Sequence, residues 1–330
     1  MQNAKFWFSI LHSAFCILNS LFMKVAILDL GTNTFHLLIA DVFSDNTFRI
    51  LLKTRATVKL GKYGFGKNEI SAGRFQKGIK TVQHFNEQIV QHGVKRIVAI
   101  ATSAIRSSTN GAAFVQKVKD ETGIKIQVIS GDEEAELICL GIRQCIRLTE
   151  SPVLMMDIGG GSTEFIIANH KTIFWKQSFN IGAARLLDQF HPSDPMSPDE
   201  ITTIQKYLEQ ELKPLQQAIK KFPVSKLIGS SGSFESLAEI ISYRFTKKNV
   251  LKTKQSYLFN LKEYKLVHEW LLKSTTAMRL KTKGLVRMRV DMIVLSSICT
   301  NYILKKYKMK EMVLSKFALK EGVLWNIIHR

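Results

Sequence analysis

The hydrophobic positions of the chain fall into short apolar runs of strand length, separated by longer stretches with helical spacing. Lys24–Asp41 reads as strand, glycine turn, strand: Val25 to Leu28 are apolar, Asp29 closes the run, and a second apolar run follows from Phe35 to Ala40. Ser71–His92 repeats its apolar positions at helical period, Arg96–Ala101 is a short apolar run between polar residues, and Asn110–Thr122 is helical again. Lys125–Ser130 reads as another strand. Asp132–Arg147 reads as a helix opened by acidic residues, which suit the positive end of a helix dipole. Val153–Asn169 returns to strand, glycine turn, strand. From Ser197 onward the pattern is mainly helical, apart from a strand at Lys226–Ile228 and the loop after it. Strands alternating with helices predict an α/β architecture. A length of 330 residues exceeds what one core usually serves, so two domains are expected.

The pattern also repeats. Asp29 matches Asp157, Gly31 matches Gly159, Thr34 matches Ser162 and Ile39-Ala40 matches Ile167-Ala168, all at one constant offset. Each copy is an apolar strand ending in Asp, a turn of Gly and hydroxyl residues, and a second apolar strand. Two such hairpins suggest two similar domains facing each other across a cleft.

The turns carry the candidate chemistry. In Asp29-Leu-Gly31-Thr32-Asn33-Thr34, glycine lets backbone N–H groups approach an anion, the hydroxyls add donors, and a strand-end Asp can hold a metal ion or its water. One such copy alone is more often an ordinary hairpin turn. The second, Asp157-Ile-Gly159-Gly160-Gly161-Ser162-Thr163-Glu164, is stronger. Consecutive glycines weaken a sheet by roughly 0.5–1 kcal/mol each, and a fold tolerates that best where backbone touches a ligand. Lys226–Ser233 adds a strand and a Gly/Ser loop before a helix, the pattern of an anion site at a helix N-terminus. Arg106 follows the Arg96–Ala101 strand; a lone Arg is by default a surface ion pair, although its fork also suits phosphate. The run Asp132-Glu133-Glu134-Ala135-Glu136 reads by default as helix-dipole charge. Beside the second repeat, one of its carboxylates could instead face the cleft and deprotonate a water.

Charge sharpens this picture. The formal net charge is +20, a balance that points to a polyanionic partner or to a generally basic surface. The basic residues concentrate at Arg279–Arg289 and Lys305–Lys310 without aromatic interleaving, and no zinc-finger or RNA-binding signature accompanies them, so nucleic acid is not the expected partner. Cys16, Cys139, Cys145 and Cys299 form no C-x-x-C pair, which fits a reducing, cytoplasmic compartment. Residues 6–22 are largely apolar, with only Lys5 before them. They lack an A-x-A-like cleavage site and run directly into a core strand. Residues 1–22 are therefore expected to be a non-native or unstructured extension, with Met23 the start, rather than a signal or membrane anchor.

Together the segments AILDLGTNTFHLLIADV, AIATSAIRSS, VISGDEEAELICLGI, MMDIGGGSTEFIIA, FNIGAARL, LIGSSGSFESLAEII and FALKEGVLW resemble the exopolyphosphatase / guanosine pentaphosphate phosphatase (Ppx/GppA) family of the actin-like superfamily. They run in family order from residue 26 to residue 325. ISGDEEAEL paired with DIGGGSTEF is the specific part, since actin-like kinases lack that pairing. The resemblance implies two actin-like (ribonuclease H-like) domains, 23–138 and 139–330, flanking a central cleft, with the last helix able to pack back on the first domain. It implies magnesium held by Asp29, Asp157 and the nearby Glu164, and Glu134 as general base for the attacking water. It assigns phosphate contacts to Gly31, Thr32, Asn33 and Thr34, to Gly159, Gly160, Gly161, Ser162 and Thr163, to Arg106, to Gly232 and Ser233, and to Arg289. The family often forms homodimers, while the sequence itself leaves the oligomeric state of this chain open.

This chain departs from the family in having Gly-Thr-Asn-Thr for Gly-Ser-Asn-Ser, which keeps the hydroxyls, and Leu-Lys320-Glu-Gly for Leu-Arg-Glu-Gly, which removes a bidentate donor. No extra C-terminal helical domain of the longer relatives is expected before Arg330, which argues against very processive handling of long chains. The implied activity is release of terminal phosphate from polyphosphate or from guanosine pentaphosphate, and the basic balance tilts toward polyphosphate. An actin-like kinase would need an adenosine-binding segment and an acceptor-activating Asp, neither of which is identifiable. A non-catalytic polyphosphate-binding regulator would not need the intact set of Asp29, Glu134, Asp157 and Glu164.

Overall fold

A computed structural model describes Phe22–His329, apart from residues 62–65 and 67. The expected 1–22 extension lies outside the described residues, except for Phe22, which opens the first strand. The chain forms two mixed sheets. The first contains β1 (Phe22–Leu30), β2 (Thr34–Phe43), β3 (Phe48–Thr57), β4 (Arg96–Ala101) and β5 (Ile126–Val128), in the order β3-β2-β1-β4-β5. The second contains β6 (Val153–Ile158), β7 (Thr163–Ala168), β8 (Ile173–Phe179), β9 (Lys226–Ser230), β10 (Ser256–Leu258) and β11 (Glu311–Ser315), in the order β10-β11-β9-β6-β7-β8. In both, an antiparallel meander is followed by two parallel strands, and β10 is added antiparallel at the outer edge of the second. The repeat therefore extends through most of each sheet, well beyond the two hairpins.

Both faces of each sheet are covered, which is why β1, β6 and β7 read as nearly continuous apolar runs. Outside the first sheet lie α1 (Ala72–Gln91), the short α2 (Ser103–Arg106) and α3 (Gly111–Thr122); α1 and α3 pack Ile79, Val82, Phe85, Phe114 and Val118 onto Leu28, Leu37 and Ala99. Between the sheets lie α4 (Gly131–Cys145) and α12 (Leu319–Ile328), whose Ile138, Ile142, Val323 and Leu324 share one core with Ile27 and Leu38 on one side and Met155 and Ile166 on the other. These two helices nearly touch: a Cβ on Gly322 would lie 1.7 Å from the Leu137 carbonyl oxygen, and one on Gly141 2.0 Å from that of Ala318. The outer face of the second sheet carries α5 (Ala183–Phe190), α6 (Pro198–Glu211), α7 (Lys213–Lys221), α8 (Ser231–Thr246), α9 (Leu261–Lys273) and α11 (Ile293–Lys306), around the core built on Phe165, Phe234, Leu237, Tyr264 and Ile298.

The structure departs from the sequence pattern in several places. β3, β8, β10 and β11 were not expected; residues after Ser197 hold β9, β10 and β11 rather than one strand. The Gly/Ser loop expected after Lys226–Ile228 is not a loop: β9 runs to Ser230 and α8 begins at Ser231. β11 is a five-residue run buried between β9 and β10, too short to show a period.

Candidate active site

The two hairpin turns meet at the middle of the molecule. The Gly31 N–H donates to the Thr34 carbonyl at 3.2 Å, and the Gly159 N–H donates to the Ser162 carbonyl at 3.0 Å, so the repeat holds atom for atom in the turn. A Cβ on Gly160 would lie 2.6 Å from Asn33 Nδ2, and one on Gly161 would lie 2.5 Å from Ser103 Oγ and 2.7 Å from Thr32 Oγ1. Glycine is thus required by contact between the halves, at the second turn only. Around this junction opens a cleft of about 500 Å³.

Acidic residues line the cleft. Asp157 on β6 stands directly across the ladder from Glu164 on β7, so both side chains project from one face. The Ser230 and Ser231 hydroxyls each donate to Asp157 at 2.6 Å, and the Ser178 hydroxyl donates to Glu164 at 2.7 Å. Ser231 holds a left-handed backbone, φ +69°, at the start of α8, a conformation costly outside glycine and concentrated at functional sites. Burial raises the Asp157 carboxyl above its ordinary range. Burial, then the neighbouring Asp157, pushes Glu164 up to about 7. Asp29 at the end of β1 is also pushed up to about 7, by burial and by Asp157, against the Lys320 ammonium, which pulls it down.

Helix α4 delivers the fourth carboxylate, and its cap explains which one. Ser130 and Glu133 cap the helix reciprocally: the Glu133 N–H donates to Ser130 Oγ at 3.1 Å and the Ser130 N–H donates to Glu133 Oε2 at 2.7 Å. Glu136 pairs with Lys176 on the outside. Glu134 alone of the acidic run is buried, facing the cleft. Burial, then Glu164, raises its carboxyl well above the ordinary range, while Arg106 opposes the shift. Arg106 Nη1 donates to Glu134 Oε2 and to the Ile129 carbonyl, both at 2.9 Å.

Basic residues also line the cleft: Lys53 and Arg55 on β3, Arg289, Lys316, whose ammonium donates to the Leu251 carbonyl, and Lys320, beside Asp29. His36 stands opposite Asp29 on β2, the position that Glu164 holds opposite Asp157. Burial, then Lys320, Arg55 and Arg289, pushes its imidazole well below the ordinary value, so it stays neutral.

Most residues expected from the sequence therefore line one cleft: Asp29, Gly31–Thr34, Glu134, Asp157, Gly159–Ser162, Glu164, Gly232, Ser233 and Arg289. Two do not. Thr163 is fully buried and donates its hydroxyl to the Ile181 carbonyl at 3.2 Å, away from the wall. Arg106, expected as a phosphate contact, sits behind Glu134 and holds that carboxylate. Gly232 packs on the Arg289 guanidinium, which also donates to Ser236 Oγ at 3.0 Å. Sequence reasoning missed His36, Lys53, Arg55 and Ser103 as cleft residues, and Ser230 and Ser231, within the segment expected to bind an anion, donate instead to Asp157. Ser103 Oγ is buried on the cleft wall with no hydrogen-bond partner among the described residues. The alternation Leu52-Lys53-Thr54-Arg55-Ala56 is the period-two signal that could have placed Lys53 and Arg55 on one face.

The model of the Ppx/GppA phosphatase family matches residues 38–330. The chain belongs to that family. An exopolyphosphatase from Cytophaga hutchinsonii of known crystal structure is similar to it at 37% identity and a TM-score of 0.90, covering 93% of this chain and 98% of that one. A bifunctional 3-dehydroquinate synthase/phosphatase of Fusobacterium nucleatum is 32% identical over 92% of this chain and 47% of that protein. Exopolyphosphatase 1 of Mycobacterium tuberculosis is 24% identical over 92% of this chain and 87% of its own length. The two-sheet architecture is the actin-like fold of this family, and no helix among the described residues is long and apolar enough to cross a membrane.

The acidic residues of the cleft suit a divalent cation. Among the described residues no three His, Cys, Asp or Glu side chains gather tightly enough to hold an ion by themselves. Buried carboxylates that raise one another's pKa, as Asp157 does for Asp29 and Glu164, are nevertheless relieved by a cation.

Proposed function

We propose that this chain is an exopolyphosphatase that releases terminal orthophosphate from inorganic polyphosphate, with magnesium as its metal. The observation that carries the reading is that one cleft is lined both by the carboxylates of Asp29, Glu134, Asp157 and Glu164 and by Lys and Arg side chains. The terminal phosphoryl group lies over the two turns, whose N–H groups and hydroxyls from Thr32, Thr34 and Ser162 hold its oxygens. Asp29, Asp157 and Glu164 would hold magnesium, which would supply charge neutralisation at the phosphoryl oxygens. Glu134 orients a water and takes its proton as the water oxygen bonds to phosphorus. The bridging P–O bond breaks, and its electron pair leaves on the shortened chain as a phosphate oxyanion. Arg106 holds the Glu134 carboxylate in place for this proton transfer. The basic residues keep the remaining chain in the cleft.

Guanosine pentaphosphate is the alternative substrate within the same family. Side-by-side phosphate-release assays on polyphosphate and guanosine pentaphosphate, with magnesium and then with a chelator, test the reading. Magnesium-dependent release from polyphosphate at the higher kcat/KM is the expected result. Release that is faster from the nucleotide, or that needs an added acceptor, overturns it.

A further inference from the structure

Glu321 lies beside the basic residues of the cleft, only 3% exposed, in the first turn of α12. Its Oε2 accepts the Ala318 N–H at 2.9 Å. Its Oε1 accepts from Lys53 Nζ at 2.9 Å and lies 3.5 Å from Lys320 Nζ. One buried carboxylate oxygen therefore serves two ammonium groups. Lys53 comes from the edge strand of the first sheet and Lys320 from the helix between the sheets, so the cluster bridges two elements far apart in sequence. Both lysines line the cleft.

The two lysines differ in access. The Lys53 side chain is 42% exposed at the cleft, and that of Lys320 is 12% exposed, next to the carboxylates of Asp29 and Glu321. A purely structural ion pair needs one lysine for one carboxylate. Lys320 has the buried Asp29 as a second counter-ion, so it is the Lys53 ammonium, open to the cleft, that is placed to meet an anion from outside.

We infer that Glu321 is a positioning residue that presents Lys53 and Lys320 as a paired clamp for the phosphate next to the one being removed. This rests on the reading of the substrate as a phosphate chain. The Lys at position 320 then acts as a point charge within a pair rather than as a bidentate fork.

The test uses tripolyphosphate as probe and a double-mutant cycle. Lys53→Met lowers kcat/KM about tenfold, mainly through KM, the size expected for one charge-assisted hydrogen bond. Lys53→Arg restores it to within about threefold. Glu321→Gln raises KM similarly, and the double variant is no worse than Lys53→Met, because both changes remove one interaction. An unchanged KM in Lys53→Met, or independent multiplication of the two effects, overturns the clamp. If Glu321→Gln fails to fold, the Met and Arg variants of Lys53 still decide it. If the wild-type chain releases no phosphate from tripolyphosphate, the hydrolase reading fails. Calorimetric titration of tripolyphosphate into wild type and Lys53→Met then tests the clamp alone: weaker binding by the variant supports it, and equal binding overturns it.

Discussion

The two hairpins at the cleft are copies with opposite electrostatics. In the first, Asp29 faces His36 across the ladder; in the second, Asp157 faces Glu164. The turn geometry is the same in both, to the hydrogen bond. The cross-strand partner is what diverged. In the second half it doubles the negative charge and is supported by serine hydroxyls. In the first half it is a neutral imidazole set among Lys53, Arg55, Arg289 and Lys320. The cross-strand partner is thus a carboxylate in one copy and a neutral imidazole in the other, while both halves contribute acidic and basic residues to the shared cleft. One position on β2 and one on β7 carry much of the difference.

The largest expected effect is at the carboxylate that belongs to neither hairpin. Glu134→Gln loses about 10²–10⁴-fold in kcat while tripolyphosphate binding stays within about threefold, since only proton transfer is removed. Phosphate release near the wild-type rate would take Glu134 out of the role. Next come exchanges of the hairpin partners. Glu164→His makes the second hairpin resemble the first and lowers magnesium-dependent turnover by about 10²-fold or more, as loss of a charge-stabilising group does. Magnesium titrations of the rate would show whether higher metal concentration restores it. The converse His36→Glu places a carboxylate among the cations. It acts on KM, raising it by about tenfold through like-charge repulsion of the substrate. If the two exchanges give the same kinetic signature, the different roles of the two cross-strand partners are wrong.

A smaller effect tests the junction. Gly160→Ala drives a methyl into Asn33 and should cost about 1–3 kcal/mol by thermal unfolding, together with a fall in kcat/KM. Gly159→Ala, in the copy of the turn that Gly31 also makes, lacks that contact with the other half, and its loss of stability should be the lesser.

The mildest prediction concerns acid. His268 in the second half is buried, its ring nitrogen 2.8 Å from Ser297 Oγ, and burial pushes its pKa down to about 4. The unfolded chain then binds a proton between about pH 6.5 and 4 that the folded chain refuses. Its contribution is complete above about 6.5 and falls away as pH drops toward 4, at most about 3 kcal/mol. Melting curves of wild type and His268→Asn across that window should converge at low pH if this is right.

Much of the site was legible in the sequence because its parts are local. The Asp–Gly–hydroxyl turns and the acidic helix start are contiguous, and their repetition shows that they belong to one device. The sequence pattern was less informative where strands are short or at an edge. β11 hides its period by its length, and β3 was passed over although Lys53 and Arg55 alternate on it. The role of Arg106 also could not be read, since a lone Arg is compatible with a phosphate or with a carboxylate partner.

What the chain determines by itself is the frame: alternating elements, a duplicated hairpin, and the residue types that a phosphate chain and a cation need. That follows from local periodicity and turn chemistry. Tertiary structure decided which acidic residue of the α4 run faces the cleft, which glycines touch the opposite half, and that Lys53, Lys320 and Glu321 form one cluster. Those outcomes depend on how helices between two sheets are capped and packed, and side chains hundreds of positions apart become neighbours only when both sheets close on the same pair of helices.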